Sequence, residues 1–327
     1  MPQARLPRFH RDPGVRRIDL TPRDREILSQ VHKHRFLRSS HLICLVGGSR
    51  QHVLRRLQLL YHHGYLERPR AQIDYFHRGG SRAIAYGLGN KGSALLKREL
   101  SLPFHKLDWG GKNLSTGRLF LEHTLLISDI MVSLELACRR HGQVRLLTAD
   151  ELPLPEATRR QREPFHWRVL VGNRLKLGVI PDQVFGLEFT GSGTKPVRVF
   201  YFLEADRATM PVIRQSLSQS SFYRKLLAYE ATWTQNLHRS RLGLHRFRVL
   251  TVTSSSERAQ TMVEACRKLE KGQGLFLFMD VDKFLKSADP LSVSWLSTSS
   301  TSAETLLASL LPANELHKNP QCGIIRA

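Results

Sequence analysis

TPRDREILSQVHKHRFLRSSHLICLVGGSRQHVLRRLQLLYHHGYLE, residues 21–67, decides how the first part of the chain folds. Thr21 suits a helix cap and Pro22 the first helical position, where no amide hydrogen is needed. From Arg23 to about His34, Ile27, Leu28 and Val31 recur at helical spacing. Phe36 to Ser39 leads into a second short helix with Leu42, Ile43 and Leu45 turned inward. Gly47-Gly48 permits a tight turn into a third helix, Ser49 to His63, whose apolar stripe is Val53, Leu54, Leu57 and Leu60. Gly64 stands where that helix should stop. A strand opens at Tyr65-Leu66-Glu67, and Ala83 to Leu88 returns as its partner. The loop between them, Arg68 to Arg82, carries Arg70, His77 and Arg78, and a closing helix runs from Asn90 to Leu100.

Three short helices followed by a two-stranded hairpin is the order of a winged helix-turn-helix. Such folds place the third helix in the major groove of duplex DNA. Its polar face here holds Arg50, Gln51, His52, Arg55 and Arg56. Arginine can bridge two acceptors on guanine and glutamine can pair with adenine, so these types suit base reading as well as phosphate contact. Arg78 and Arg82, on the wing, are placed to meet the minor groove or the backbone.

Outward from this stretch, composition points the same way. The 327 residues carry a formal net charge of +22, a field that favours polyanions through counterion release. No run of about 18 apolar residues occurs and the N-terminus has no signal-peptide core, so a cytoplasmic protein on nucleic acid is expected, and no membrane partner. Cys44, Cys138, Cys266 and Cys322 are far apart with no CxxC pair, which argues against a zinc site or a disulfide framework. No GxxxxGK loop and no GxSxG elbow is present. His32-Lys33-His34 has lysine where a His-hydrophobic-His metal triplet needs an apolar residue.

The remaining boundaries follow from local composition. Residues 1–20 form a basic arm, and 21–100 the winged helix. Residues 101–117 mix Pro, Gly and polar types as a linker, and 287–327 are a Ser/Thr-rich tail expected to be largely disordered, apart from a short amphipathic segment near Thr305–Leu311 suited to dock on the body. Between them, residues 118–286 read as an α/β domain. An apolar helix spans Arg118 to His141, and strands are expected at Val144–Thr148, within Leu175–Phe189, at Val197–Ala205, at Arg246–Thr253 and at Leu275–Met279. Helices are expected at Ser218–Leu237 and Glu257–Leu269. The run VRVFYFLEA, 197–205, has the continuous apolar character of a buried central strand.

"LTPRDREIL" at 20–28, "GYLERP" at 64–69, "YGLGNKGSALL" at 86–96, "IPDQVFGLEF" at 180–189 and "FYFLEADRATMP" at 200–211 resemble bacterial replication-relaxation proteins, over roughly two-thirds of the chain. That resemblance implies a plasmid or other mobile element as the setting, and plasmid replication or relaxation proteins as partners. The α-β-β-β-α-β-α-β order also resembles the restriction-endonuclease (PD-(D/E)xK) fold. Nucleases of that fold hold a divalent cation between carboxylates on adjacent strands, with a lysine nearby. Asp182 and then Glu204 and Asp206 would be the carboxylates, binding Mg²⁺ or Mn²⁺. The usual lysine position holds Asp206 instead, which leaves Lys225 on the next helix to supply the cation. Glu122 and Glu151 are further candidate ligands.

The residues thus lead to a DNA-binding protein with duplex DNA as its partner, in support of plasmid replication or relaxation. Two alternatives stand beside it. One is a metal-dependent nicking endonuclease using Asp182, Glu204, Asp206 and Lys225, and the other a winged-helix transcription regulator, which would act as a homodimer on two half-sites.

Overall fold

In a computed structural model the chain divides into two compact units, Met1–Val132 and Ser133–Ala327. The structure describes residues 8–12, 14, 17–73, 83–100, 109–172, 175–191, 196–298 and 304–310. The class is mixed α/β.

Unit 1 opens with α1 (Pro22–His34), whose first turn is closed by a reciprocal cap between Thr21 and Asp24. A short strand β1 (Phe36–Arg38) leads to α2 (Ser39–Val46), α3 (Arg50–His62), β2 (Leu66–Glu67) and β3 (Ala85–Leu88). The three strands pair antiparallel in the order β1-β3-β2, with Leu37 opposite Tyr86 and Leu66 opposite Leu88. Ile27, Leu28, Val31, Leu42, Val53, Leu57 and Leu60 are buried between the helices and this sheet, so the helical periodicity read from residues 21–63 is the periodicity of the core.

α4 (Asn90–Leu100) and α5 (Trp109–Leu114) follow. The expected linker is therefore helical over its second part, while residues 101–108 lie outside the described residues. Asn113, fully buried, donates to the Leu88 carbonyl at 2.8 Å, and Gly110 N donates to Asn90 Oδ1 at 2.8 Å; these bonds fold residues 109–114 onto unit 1. α6 (Arg118–His141) crosses the boundary between the units. Its first half covers Phe36 and Ala85 with Leu121 and Leu125, and Ser128 Oγ donates to the Phe36 carbonyl at 2.7 Å. The division between the two units falls at Val132, within α6.

In unit 2, the elements after α6 are β4 (Val144–Leu147), α7 (Glu156–Arg159), β5 (Trp167–Val171), β6 (Leu175–Val179), β7 (Gln183–Phe189) and β8 (Val197–Ala205). They continue as α8 (Phe222–Thr234), α9 (Leu237–Ser240), β9 (Phe247–Thr253), α10 (Ser256–Cys266), β10 (Phe276–Asp280), α11 (Val281–Leu285) and α12 (Leu306–Leu310). The main sheet has the order β10-β9-β8-β7-β4. β8, β9 and β10 are parallel, joined through α8 and α10, and β7 runs antiparallel to both β8 and β4. VRVFYFLEA is its central strand, buried from Phe200 onward, as its apolar run requires.

β6 falls within the stretch Leu175–Phe189 where strands were expected, but β5, with which it forms a separate hairpin, was not expected. The hairpin's Trp167, Val169, Leu177 and Val179 join the core under α8, where Trp167 Nε1 donates to Thr232 Oγ1 at 2.9 Å. The Ser/Thr-rich tail is folded beyond the segment near Thr305–Leu311 that was expected to dock. Leu291, Trp295, Leu306 and Leu310 are buried, Leu296 bridges Phe278 at the edge of the sheet, and Tyr201 OH shares a 2.8 Å hydrogen bond with Ser309. Residues 287–298 and 304–310 are thus folded, because four apolar side chains outweigh a polar composition; residues 311–327 lie outside the described residues. No helix among the described residues is long and apolar enough to cross a membrane.

Candidate nucleic-acid interface and a buried acidic cluster

Gly47 and Gly48 adopt φ of +70° and +82°, a conformation that favours glycine, and they turn the chain from α2 into α3. With Val53, Leu57 and Leu60 fixed inward, the helix presents Arg50, Gln51, His52, Arg55 and Gln58 to solvent. Gln51, Arg55 and Gln58 follow one another at i, i+4 and i+7, so their side chains form one exposed polar stripe. Among the described residues, neither Arg50 nor Arg55 enters an ion pair. Five donor-rich side chains on one rigid face have the chemistry to meet base edges and phosphates.

Arg56 does not belong to this exposed stripe. One residue on from Arg55, it lies about 100° further round the helix. Its Nε donates to Asp24 Oδ1 at 2.8 Å and its Nη2 to Asp24 Oδ2 at 2.5 Å, with a further bond to the Asp19 carbonyl at 3.0 Å. Asp24 is fully buried and also accepts from Thr21 N at 2.7 Å and Thr21 Oγ1 at 2.8 Å. Burial pushes the Asp24 carboxyl up, but the bonds from Arg56 and Thr21 outweigh it and hold the group below its ordinary value. Arg56 thus fastens α3 to the start of α1.

Arg78 and Arg82 lie outside the described residues. At the base of the loop that carries them, Gln72 bonds both backbone groups of Ala85, Oε1 accepting from N at 2.7 Å and Nε2 donating to O at 3.0 Å.

The basic arm is docked at residues 8–12. Arg11 pairs with Glu67 and donates to the Tyr61 carbonyl at 3.0 Å, and Asp12 N donates to His62 Nδ1 at 3.0 Å. Arg68 donates to the Arg8 carbonyl and to Tyr86 OH, its guanidinium 4.1 Å from the Tyr61 ring centre. Sequence reading missed this cluster; "GYLERP" holds Glu67 and Arg68, but their partners lie far along the chain.

Unit 2 brings Asp182, Glu204 and Lys225 together, while Asp206 is engaged by Arg258. Gln183 is opposite Leu203 in the β7–β8 register, which sets Asp182 beside the end of β8, and its Oδ2 accepts from Ala205 N at 2.8 Å. Glu204 is 2% exposed, accepting from Tyr229 OH at 2.5 Å through Oε1 and from Lys225 through Oε2. Burial raises the Glu204 carboxyl to about 6 against the pull of Lys225, and the negative charge of Asp182 adds to the rise. The Lys225 ammonium is held above its usual value, since the surrounding carboxylates outweigh its burial. Asp206 lies within electrostatic reach of the same Lys225 but has partners of its own. Arg258 grips both its oxygens, at 2.6 and 3.0 Å, and Thr253 Oγ1 donates to it at 2.6 Å. Burial opposes ionisation there, but Arg258 and Thr253 outweigh it and keep the Asp206 carboxyl low.

Asp182, Glu204 and Asp206 therefore do not fit a Mg²⁺ or Mn²⁺ ion held by all three. The oxygens of Glu204 and Asp206 are bonded within the protein, and among the described residues no group of three or more His, Cys, Asp or Glu is placed to hold a metal. Glu122 pairs with Arg118, and Glu151 with Arg145.

Glu204 gives a pH-dependent expectation. Its carboxyl is harder to ionise folded than unfolded, so the folded chain holds the extra proton between the ordinary carboxylate range and about 6. Stability contributed by this group falls as pH rises through that window, and Glu204→Gln removes the fall. Thermal unfolding of both proteins from about pH 4 to about pH 7 checks it; parallel curves would contradict it.

A family model described as replication-relaxation matches residues 28–246. No curated protein and no solved structure matches the chain.

Proposed function

The chain belongs to the replication-relaxation family, and we propose that it supports replication or relaxation of a plasmid or other mobile element by binding duplex DNA through the exposed face of α3. One observation carries the reading: Arg50, Gln51, Arg55 and Gln58 stand in solvent on a helix whose opposite face is core, preceded by a glycine turn. The surrounding order α1-β1-α2-α3-β2-β3 supports a winged helix, in which such a helix enters the major groove. A net charge of +22 supports long-range attraction to the phosphate backbone. In this reading unit 2 is a nuclease-like scaffold, its carboxylates engaged by Lys225, Tyr229 and Arg258.

Purified protein incubated with supercoiled plasmid and Mg²⁺, Mn²⁺ or EDTA tests both parts. A retarded but covalently closed plasmid is expected in every lane. Metal-dependent nicks that vanish in Asp182→Ala with Glu204→Ala would establish the nicking alternative instead. An unretarded plasmid would contradict DNA binding altogether.

A further inference from the structure

α8 begins beside the end of β8 and stops near the start of β9, because the two strands are parallel and the helix crosses back between them. At that stop stands Trp233, 40% exposed. Gln235 and the left-handed Asn236, at φ 59°, turn the chain into α9 and on to β9. This connection carries Arg239, Arg241 and Arg246, with Arg239 and Arg246 exposed. The indole also lies against the loop after α10, where a Cβ on Gly272 would lie 3.5 Å from Trp233 Cε3. That loop carries exposed Arg267 and Lys271. An exposed indole thus lies between two basic segments.

The charge on one side is built in. The Arg241 guanidinium donates to Gln161 Oε1 at 2.5 Å, to the His166 carbonyl at 3.0 Å and to the Pro164 carbonyl at 3.4 Å. These acceptors are neutral, so they hold the cation in place without cancelling it. Elsewhere in unit 2, Arg145, Arg198, Arg248 and Arg258 face carboxylates. Carboxylates are present near Trp233 as well: Glu230 accepts from Lys271 N at 2.6 Å, and Glu264 and Glu270 are exposed. Cations still outnumber them.

We propose that this end of unit 2 binds single-stranded nucleic acid, with Trp233 stacking on one base and Arg239, Arg246 and Lys271 meeting the phosphates on either side. An indole can stack only on a base whose face is open, which a single strand offers and a duplex hides. An acidic membrane would need a longer amphipathic helix than the four residues of α9. This surface belongs to unit 2 and α3 to unit 1, so the two sites are tested by separate substitutions.

The test is fluorescence anisotropy of the full chain with labelled oligothymidylate and with a duplex of equal length. Trp233→Ala is expected to weaken oligothymidylate binding about ten- to a hundredfold and to leave duplex binding unchanged, while Trp233→Phe keeps most of the affinity. Arg239→Ala with Arg246→Ala should lower the salt slope for the single strand by about 0.7 for each lost phosphate contact. Four results would overturn the assignment: no binding of oligothymidylate by the parent, parent-like binding by Trp233→Ala, equal loss on single strand and duplex, or no rescue by phenylalanine. Loss of single-strand binding in an Arg50→Ala, Arg55→Ala variant would also overturn it, by moving the single strand to α3.

Discussion

Arg50→Ala combined with Arg55→Ala is expected to weaken duplex binding by about 1–3 kcal/mol for each arginine that reads a base. Where the arginines meet phosphate instead, the slope of log K against log salt should shrink by about 0.9 per contact. Both side chains are exposed, so their loss leaves the core of unit 1 untouched. Titrations at several salt concentrations separate the two roles. Loss of affinity at unchanged slope assigns base contacts, and a smaller slope assigns phosphate contacts. Unchanged affinity and slope in a folded variant would remove α3 from the interface.

The second large effect concerns the neighbouring arginine. Arg56→Ala leaves Asp24 buried with Thr21 but without its cation, and breaking such a buried pair costs about 3–5 kcal/mol. Urea unfolding of the full chain should show the loss. Because the Asp24 carboxyl is held low, the pair's contribution is present above the ordinary carboxylate range and is lost as pH falls through the folded value. Arg56→Ala should therefore approach the parent's stability in acid. A conservative check keeps stability and binding apart: Asp24→Leu with Arg56→Met replaces the pair by apolar groups, restores much of the stability and binds duplex as the parent does. A stable Arg56→Ala variant with impaired DNA binding would return Arg56 to the groove-facing set.

These two predictions show where sequence reading works and where it stops. Val53, Leu57 and Leu60 repeat at helical spacing, so α3 and the direction of its buried face were legible, and Arg50, Gln51 and Arg55 followed as the outer face. Arg56 was not legible. Its carboxylate lies 32 positions earlier, and no local pattern distinguishes an arginine that reaches it from one that points into solvent. The Asp206–Arg258 pair was not legible for the same reason, since Arg258 is 52 positions away. The nearness of Lys225 to Glu204 was legible because helix α8 directly follows the strand that carries Glu204, which leaves little freedom in where its first turn lands.

Strands divided in a similar way. The unbroken apolar run of β8 announced a central strand. β5 alternates buried and exposed residues from Trp167 to Leu170, a period-two signal confined to five residues and set among arginines. In the tail, abundant serine and threonine masked Leu291 and Trp295, whose burial is decided by the sheet they cover.

The most direct measurement is photocrosslinking from α3 itself. A benzophenone amino acid at Gln51, or separately at Gln58, sits on the exposed stripe, while one at Glu26 sits on exposed α1. If α3 enters duplex DNA, full-length protein labelled at 51 or 58 crosslinks to bound plasmid DNA and protein labelled at 26 does not. Equal crosslinking from all three positions, or none from 51 and 58 while the protein still retards the plasmid, would show that the DNA lies elsewhere.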